Sequence, residues 1–143
     1  MRLVFTLHRA DNMVVYDLES TVHRPRGWSW PGFRVLFAIW LSAPVEAKKA
    51  AELSGMSRAA VSALNTLERD GLLRKERAAC DGRAVGLSLT DSGQEAITSA
   101  FLAHNKQEQE WAGPLSEDET RTMVELLGQL TAHSVDFDAR HRA

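Results

Sequence analysis

Between positions 57 and 83 the sequence gathers side chains suited to a polyanion with a readable edge. Ser57, Arg58, Ala59 and Ala60 open the outward face of a predicted helix, and Ser62, Ala63 and Thr66 continue it. Short side chains there let the backbone approach base edges, Arg58 can reach guanine or phosphate, and a helix N-terminus favours an anion. Arg74, Lys75, Arg77 and Arg83 follow on a predicted hairpin. An arginine at its Asp81-Gly82-Arg83 tip can enter a narrow minor groove. The chemistry within reach of these residues is phosphate neutralisation combined with the reading of double-stranded DNA.

A second group is aromatic. Trp28, Trp30, Phe33, Phe37 and Trp40 crowd around one predicted helix start, close to His23, Arg26 and Arg34. Core packing accounts for Phe37 and Trp40. Aromatic walls with a few polar groups also suit a planar organic anion. His23, Arg26, Trp28, Trp30, Phe33, Arg34 and Phe37 therefore form a candidate pocket for an aromatic or acyl carboxylate.

Catalysis has no comparable support, because no nucleophile-base pair, phosphate loop or metal-ligand spacing stands out. His8, His23, His104, His133 and His141 show no i, i+4 pairing with Glu or Cys, and most read as surface or interface residues. The single cysteine, Cys80, permits neither an internal disulfide nor a multi-cysteine metal site. No catalytic residue, metal or cofactor is expected.

The elements that must position these groups follow from periodicity and breakers. Leu3, Leu7, Val14, Val15, Leu18 and Val22 recur at helical intervals, predicting a long amphipathic helix over residues 1–23. Pro25, Gly27 and Pro31 break the chain before a buried helix over 30–41. Pro44 stands where the next helix would begin, over 45–53. After Gly55, Ser57 caps a helix over 57–70 that Gly71 stops, and Leu53, Val61 and Leu64 are expected to supply the core between the two helices. Residues 72–77 and 84–89 alternate as two strands. Thr90 caps a helix to about 111, and Ser116 with Glu119 forms a capping box for a last helix to about 132. Helix, tight turn, helix, basic hairpin is a winged helix-turn-helix.

Length and composition agree. The chain has 143 residues, 44% hydrophobic and 25% charged, enough for one domain with a core. The longest apolar run, 35–41, is far too short for a bilayer, and the N-terminus lacks the features of a secretory signal, so no membrane partner and a cytoplasmic location are expected. The net charge of -2 divides into +1 over 1–47, +3 over 48–90 and -6 over 91–143. The middle third is thus the surface for a polyanion, although +3 alone also fits an ordinary solvated face.

The runs Ser57-Arg58-Ala59-Ala60-Val61-Ser62-Ala63-Leu64, Leu67-Glu68-Arg69-Asp70-Gly71-Leu72-Leu73, Asp81-Gly82-Arg83 and Leu89-Thr90-Asp91-Ser92-Gly93 resemble the MarR family of bacterial transcriptional regulators. The resemblance implies a mainly α fold with a small β-hairpin wing. It makes residues 1–143 one domain, with the winged helix-turn-helix at 30–90 and dimerisation helices at 1–23 and 91–143. It also implies a homodimer on pseudo-palindromic DNA, usually a repressor released by a small-molecule effector bound between the dimerisation helices and the winged helix. By the same analogy Arg83 is the minor-groove residue braced by Asp81, and Ser57, Arg58, Ser62 and Ala63 face the major groove. Two other readings stay open: a winged-helix module that contacts protein instead of DNA, and an oxidant sensor acting through Cys80.

Apolar stripes support the dimer independently. Ile97, Ala100, Phe101, His104 and Trp111 mark one, and Met123, Leu126, Leu127 and Leu130 another; a second copy is the simplest cover for both. One departure from the family pattern stands in the recognition helix. Its apolar places should fall at 0, 3, 4 and 7, but counting from Val61 gives Leu64 at 3, Asn65 at 4 and Leu67 at 6. On that count the helix is locally distorted or one position is missing after Leu64.

Overall fold

Helix α1 (Arg2–Leu18) carries the first apolar stripe, with Leu3 and Leu7 exposed and Leu18 buried. The computed structural model describes residues 1–55, 57–77 and 85–134, without the side chains at 57, 58, 61, 77 and 85. Where one continuous helix to residue 23 was expected, α1 gives way to a single π-type turn over Glu19–His23 and a 3-10 turn over Arg24–Arg26. The residue inserted by the π turn rotates the following side chains, which buries Val22 and His23 together. Pro25 and the left-handed Gly27 (φ 78°) then reverse the chain.

Helix α2 (Trp30–Ser42) starts at Ser29, whose Oγ accepts a hydrogen bond from the Gly32 N–H at 3.2 Å. Val35, Leu36 and Ile39 of α2 are fully enclosed at the centre of the core. The helix expected directly after Pro44 begins later. Val45 and Glu46 form strand β1 (Val45–Glu46), and helix α3 (Ala47–Ser54) follows. Gly55 ends α3 in the left-handed region (φ 71°), and helix α4 (Ser57–Arg69) follows the turn, stopped by Gly71 at φ 76°.

Strands β2 (Leu73–Arg77) and β3 (Val85–Leu89) make an antiparallel hairpin with Leu73 opposite Leu89 and Lys75 opposite Leu87. β1 adds to the other edge of β3, giving the order β1-β3-β2. The outer edge of β3 is thereby paired, and Val45 and Leu87 face each other within the core.

Helix α5 (Asp91–Ala112) is fastened to the hairpin at its first turn. Thr90 Oγ1 donates to the Gly71 carbonyl at 2.6 Å and accepts from the Gly93 N–H at 3.0 Å, while the Thr90 N–H donates to the Leu72 carbonyl at 3.1 Å. Gly93 is required here, since a Cβ at that position would stand 2.1 Å from the Leu72 carbonyl oxygen.

The chain divides into two compact units, Met1–Gln107 and a second beginning at Glu108. In the first, Ile97 and Ala100 are fully buried against the α2 and α4 core, and Phe101 and His104 join its aromatic packing. Most of the α5 stripe assigned to a partner is therefore covered by the chain's own core. In the second, helix α6 (Glu117–His133) has the expected capping box: Glu119 N–H donates to Ser116 Oγ, and Ser116 N–H donates to the Glu119 carboxylate. Its Met123, Leu126, Leu127 and Leu130 remain exposed.

Candidate nucleic-acid interface and effector cavity

Among the described side chains of α4, Ala60, Ala63 and Leu67 are buried and form its inner face, with Leu64 packed beside them. Counted from Ala60 these are places 0, 3, 4 and 7, so the helical stripe is complete. α4 runs unbroken from Ser57 to Arg69. No distortion follows Leu64 in this helix; a stripe completed by small alanines is hidden when the count starts at Val61, whose side chain lies outside the described residues. Two expectations are corrected as a result. Ala60 and Ala63 lie inside the core and do not face solvent, and Leu53 is 49% exposed while Ser54 is the buried residue at the end of α3.

The face opposite that stripe is polar. Ser62, Asn65 and Arg69 are exposed at spacings of three and four, and position 58 lies one turn before Ser62 on the same helix. Asn65 and Arg69 were missed from sequence because the register was counted from the wrong residue. Ala59, Ser62 and Thr66 border a groove of about 330 Å³ between α4 and the Gly27–Gly32 segment, where Ala63 and Leu67 form the floor. Thr66 Oγ1 donates to the Ser62 carbonyl at 3.1 Å.

Next to this face the hairpin presents its cations. Arg74 and Lys75 are exposed on β2, and Arg77 stands opposite Val85 at its end. Lys75 Nζ lies 2.9 Å from Glu68 Oε2 of α4, Arg74 Nε lies 3.0 Å from Glu76 Oε1, and Arg69 Nε lies 3.3 Å from Asp70 Oδ1. The side chains of Ser57, Arg58 and Arg77, and the whole of Cys80, Asp81 and Arg83, lie outside the described residues.

Four of the seven expected pocket residues share one cavity. Trp30, Phe33, Arg34 and Phe37 line a space of about 360 Å³ with Leu41, Leu53 and Ser54, between α2 and the end of α3. Arg34 is half-buried and makes no hydrogen bond or ion pair with any described residue; its guanidinium carbon stands 5.8 Å from the centre of the Trp30 ring. The same guanidinium lies against Gly55, where an added Cβ would meet Nη2 at 3.0 Å. The other three residues lie elsewhere. Trp28 is core and borders the α4 groove, while Arg26 donates to the Val22 carbonyl at 2.6 Å and sits beside Ser99.

His23 is buried behind the cavity, not on the surface. It stacks on Phe33 at 4.3 Å between ring centroids and lies 5.6 Å from both Trp30 and His104. Among the described residues neither ring nitrogen meets a hydrogen-bond partner. Burial, with Arg26 and His104 adding positive charge nearby, pushes its pKa down to about 4, so the imidazole is neutral at pH 7. Glu19, placed by the same π turn, accepts the Trp30 backbone N–H at 2.9 Å and pairs with Arg24 at 2.9 Å, which holds its carboxyl below the usual carboxylate range. Among the described residues no cluster of three His, Cys, Asp or Glu could hold a metal ion, and no helix is long and apolar enough to cross a membrane.

A three-stranded wing beside a helix-turn-helix whose outer face is polar defines a winged-helix DNA-binding regulator. The chain is 34% identical over 122 residues to the HTH-type transcriptional regulator YwaE of Bacillus subtilis (strain 168), covering 85% of this chain and 71% of that protein. A mutant MarR from E. coli complexed with operator DNA superposes with a TM-score of 0.81 at 21% identity, covering 91% of this chain and 94% of that one. The PcaV transcriptional regulator from Streptomyces coelicolor, in complex with its natural ligand, gives 0.78 at 26% identity, covering 90% and 91%. No family model matches the chain. It belongs to the MarR family of helix-turn-helix transcriptional regulators.

Proposed function

We propose that this regulator is a cytoplasmic homodimeric repressor that binds a pseudo-palindromic operator through α4 and the β2–β3 wing and is released by a small aromatic or acyl carboxylate. The observation that carries the DNA half is the exposed polar face of α4, flanked by Arg74 and Lys75 of the wing. In this reading Ser57, Arg58 and Ser62 meet the major groove, with Ala59 and Thr66 at its edge. Arg77 contacts phosphate, and Arg83, braced by Asp81, enters the minor groove. The exposed apolar residues of α1, among them Leu3, Val4 and Phe5, and separately those of α6, support burial against a second copy.

The ligand half rests on Arg34. A half-buried guanidinium without an acceptor among the described residues, in a cavity walled by Trp30, Phe33 and Phe37, is suited to a carboxylate attached to a flat apolar body. PcaV, of similar fold, binds its own natural ligand.

Binding to the chain's own promoter fragment, measured across salt concentrations, tests the DNA reading. Several phosphate contacts per subunit should reduce affinity by about three orders of magnitude between 50 and 200 mM salt. Arg83→Ala should weaken binding strongly, and Arg58→Ala should lower affinity or base selectivity. Salt-independent binding, or unchanged binding in both variants, would point to a protein-contact module instead.

A further inference from the structure

We propose that Asn65 selects an adenine in each half-site, an inference that rests on α4 being the helix that enters the major groove. Asn65 lies on the outward face of α4 between Ser62 and Arg69, diametrically opposite the buried Ala60-Ala63-Leu67 stripe. Its carboxamide makes no hydrogen bond to any described residue, so an acceptor and two donors are uncommitted. Its neighbours are less suited to selecting a base. The Thr66 hydroxyl already donates to the Ser62 carbonyl, Arg69 is engaged with Asp70, and a Ser62 hydroxyl fits any base equally.

The chemistry singles out one base. An amide presents a donor and an acceptor side by side in one plane. In the major groove adenine offers the complement from a single base, N6–H donating and N7 accepting. Guanine offers two acceptors, which suits an arginine. Two helical turns separate position 58 from Asn65, so Arg58 near the start of α4 and Asn65 further along would meet bases at different steps of one half-site.

The test is selection from random duplexes by the full-length protein, followed by affinity measurement on the enriched site. Wild type should enrich an adenine at one fixed position per half-site. Asn65→Ala should lose that preference with about a tenfold weaker affinity for the enriched site, leaving non-specific affinity and salt dependence unchanged. Asn65→Arg should move the preference at that position toward guanine, a gain that a misfolded variant cannot produce. If Asn65→Ala keeps the wild-type preferences at every position while binding with the same salt dependence, Asn65 is not a reader and the proposal is overturned. If wild type enriches no sequence at all, the DNA reading of α4 fails along with it.

Discussion

Replacing Gly93 by alanine should destabilise the chain although alanine is the better helix former. Gly93 lies in the first turn of α5, where the exchange alone would favour the helix by about 1 kcal/mol. The new Cβ, however, would stand 2.1 Å from the Leu72 carbonyl oxygen and 3.0 Å from its carbonyl carbon. Ordinary contact requires more than an ångström of separation to be gained, and the obstacle is backbone that cannot swing aside. The displacement would strain the three hydrogen bonds that Thr90 makes with Gly71, Leu72 and Gly93. Overpacking of about 1–3 kcal/mol, with about 2 kcal/mol in all for the three partly weakened Thr90 bonds, exceeds the propensity gain of about 1 kcal/mol and leaves a net loss of roughly 2–4 kcal/mol. Thermal unfolding followed by circular dichroism should show Tm lowered by about 5–15 °C. Gly128→Ala is the matched control. Gly128 is exposed in α6 with nothing within 4 Å of an added Cβ, and it faces away from the Met123-Leu126-Leu127-Leu130 stripe, so Tm should hold or rise slightly. A Gly93→Ala variant as stable as wild type would mean that the hairpin and α5 are not locked together at this point.

Acid sensitivity should trace to His23. Its folded pKa of about 4 lies below the unfolded value near 6.5, so the unfolded chain binds the extra proton first. Its stabilising contribution is complete above pH 6.5 and declines as pH falls toward 4, by about 3 kcal/mol in all. Urea unfolding of His23→Phe should show a much flatter pH dependence in that window; an unchanged slope would contradict the assignment. Glu19 adds a loss at lower pH, because its lowered carboxyl pKa withdraws support only as pH falls through that value. For the proposed effector cavity, Arg34→Gln should weaken binding of a benzoate probe at least tenfold, read by tryptophan quenching, with ligand-free operator affinity within about threefold of wild type. Equal probe affinity in both proteins would remove Arg34 as the anion's partner.

Most elements were legible because local chemistry announces them. Ser116 with Glu119, Gly71 after α4, and Thr90 before α5 act within a few residues of their own positions, and the structure places each where its chemistry requires. What escaped was non-local or degenerate. β1 has two residues and exists only because β3 lies alongside, a pairing across some forty positions that no short window contains. The π turn adds one residue to a helical stripe, and His23 disappeared from the periodic pattern at that point. Alanine is compatible with either face of a helix, so residue type alone does not show that Ala60 and Ala63 line the core or that Asn65 belongs to the outer face. In the aromatic cluster the residue types were informative but their directions were not. Trp30, Phe33, Arg34 and Phe37 converge on one cavity, whereas Trp28 turns to the other side of α2.

Under the proposed docking of α4 and the wing on DNA, the ion pairs around them bear on how the surface discriminates between DNA sequences. The central segment carries a +3 excess, yet Lys75, Arg74 and Arg69 are each paired with a nearby carboxylate on Glu68, Glu76 or Asp70. Every one of these pairs is exposed, so each is worth at most about 1 kcal/mol and a phosphate can displace it. The carboxylates then remain beside the DNA backbone, opposing attraction that every sequence would share. Contacts to base edges from α4 are not diminished in the same way, because they depend on hydrogen-bond geometry and not on net charge. A modest, internally compensated cation set therefore raises the weight of the outward face of α4 relative to bulk electrostatics, and the ratio of specific to non-specific binding rises even as total affinity falls.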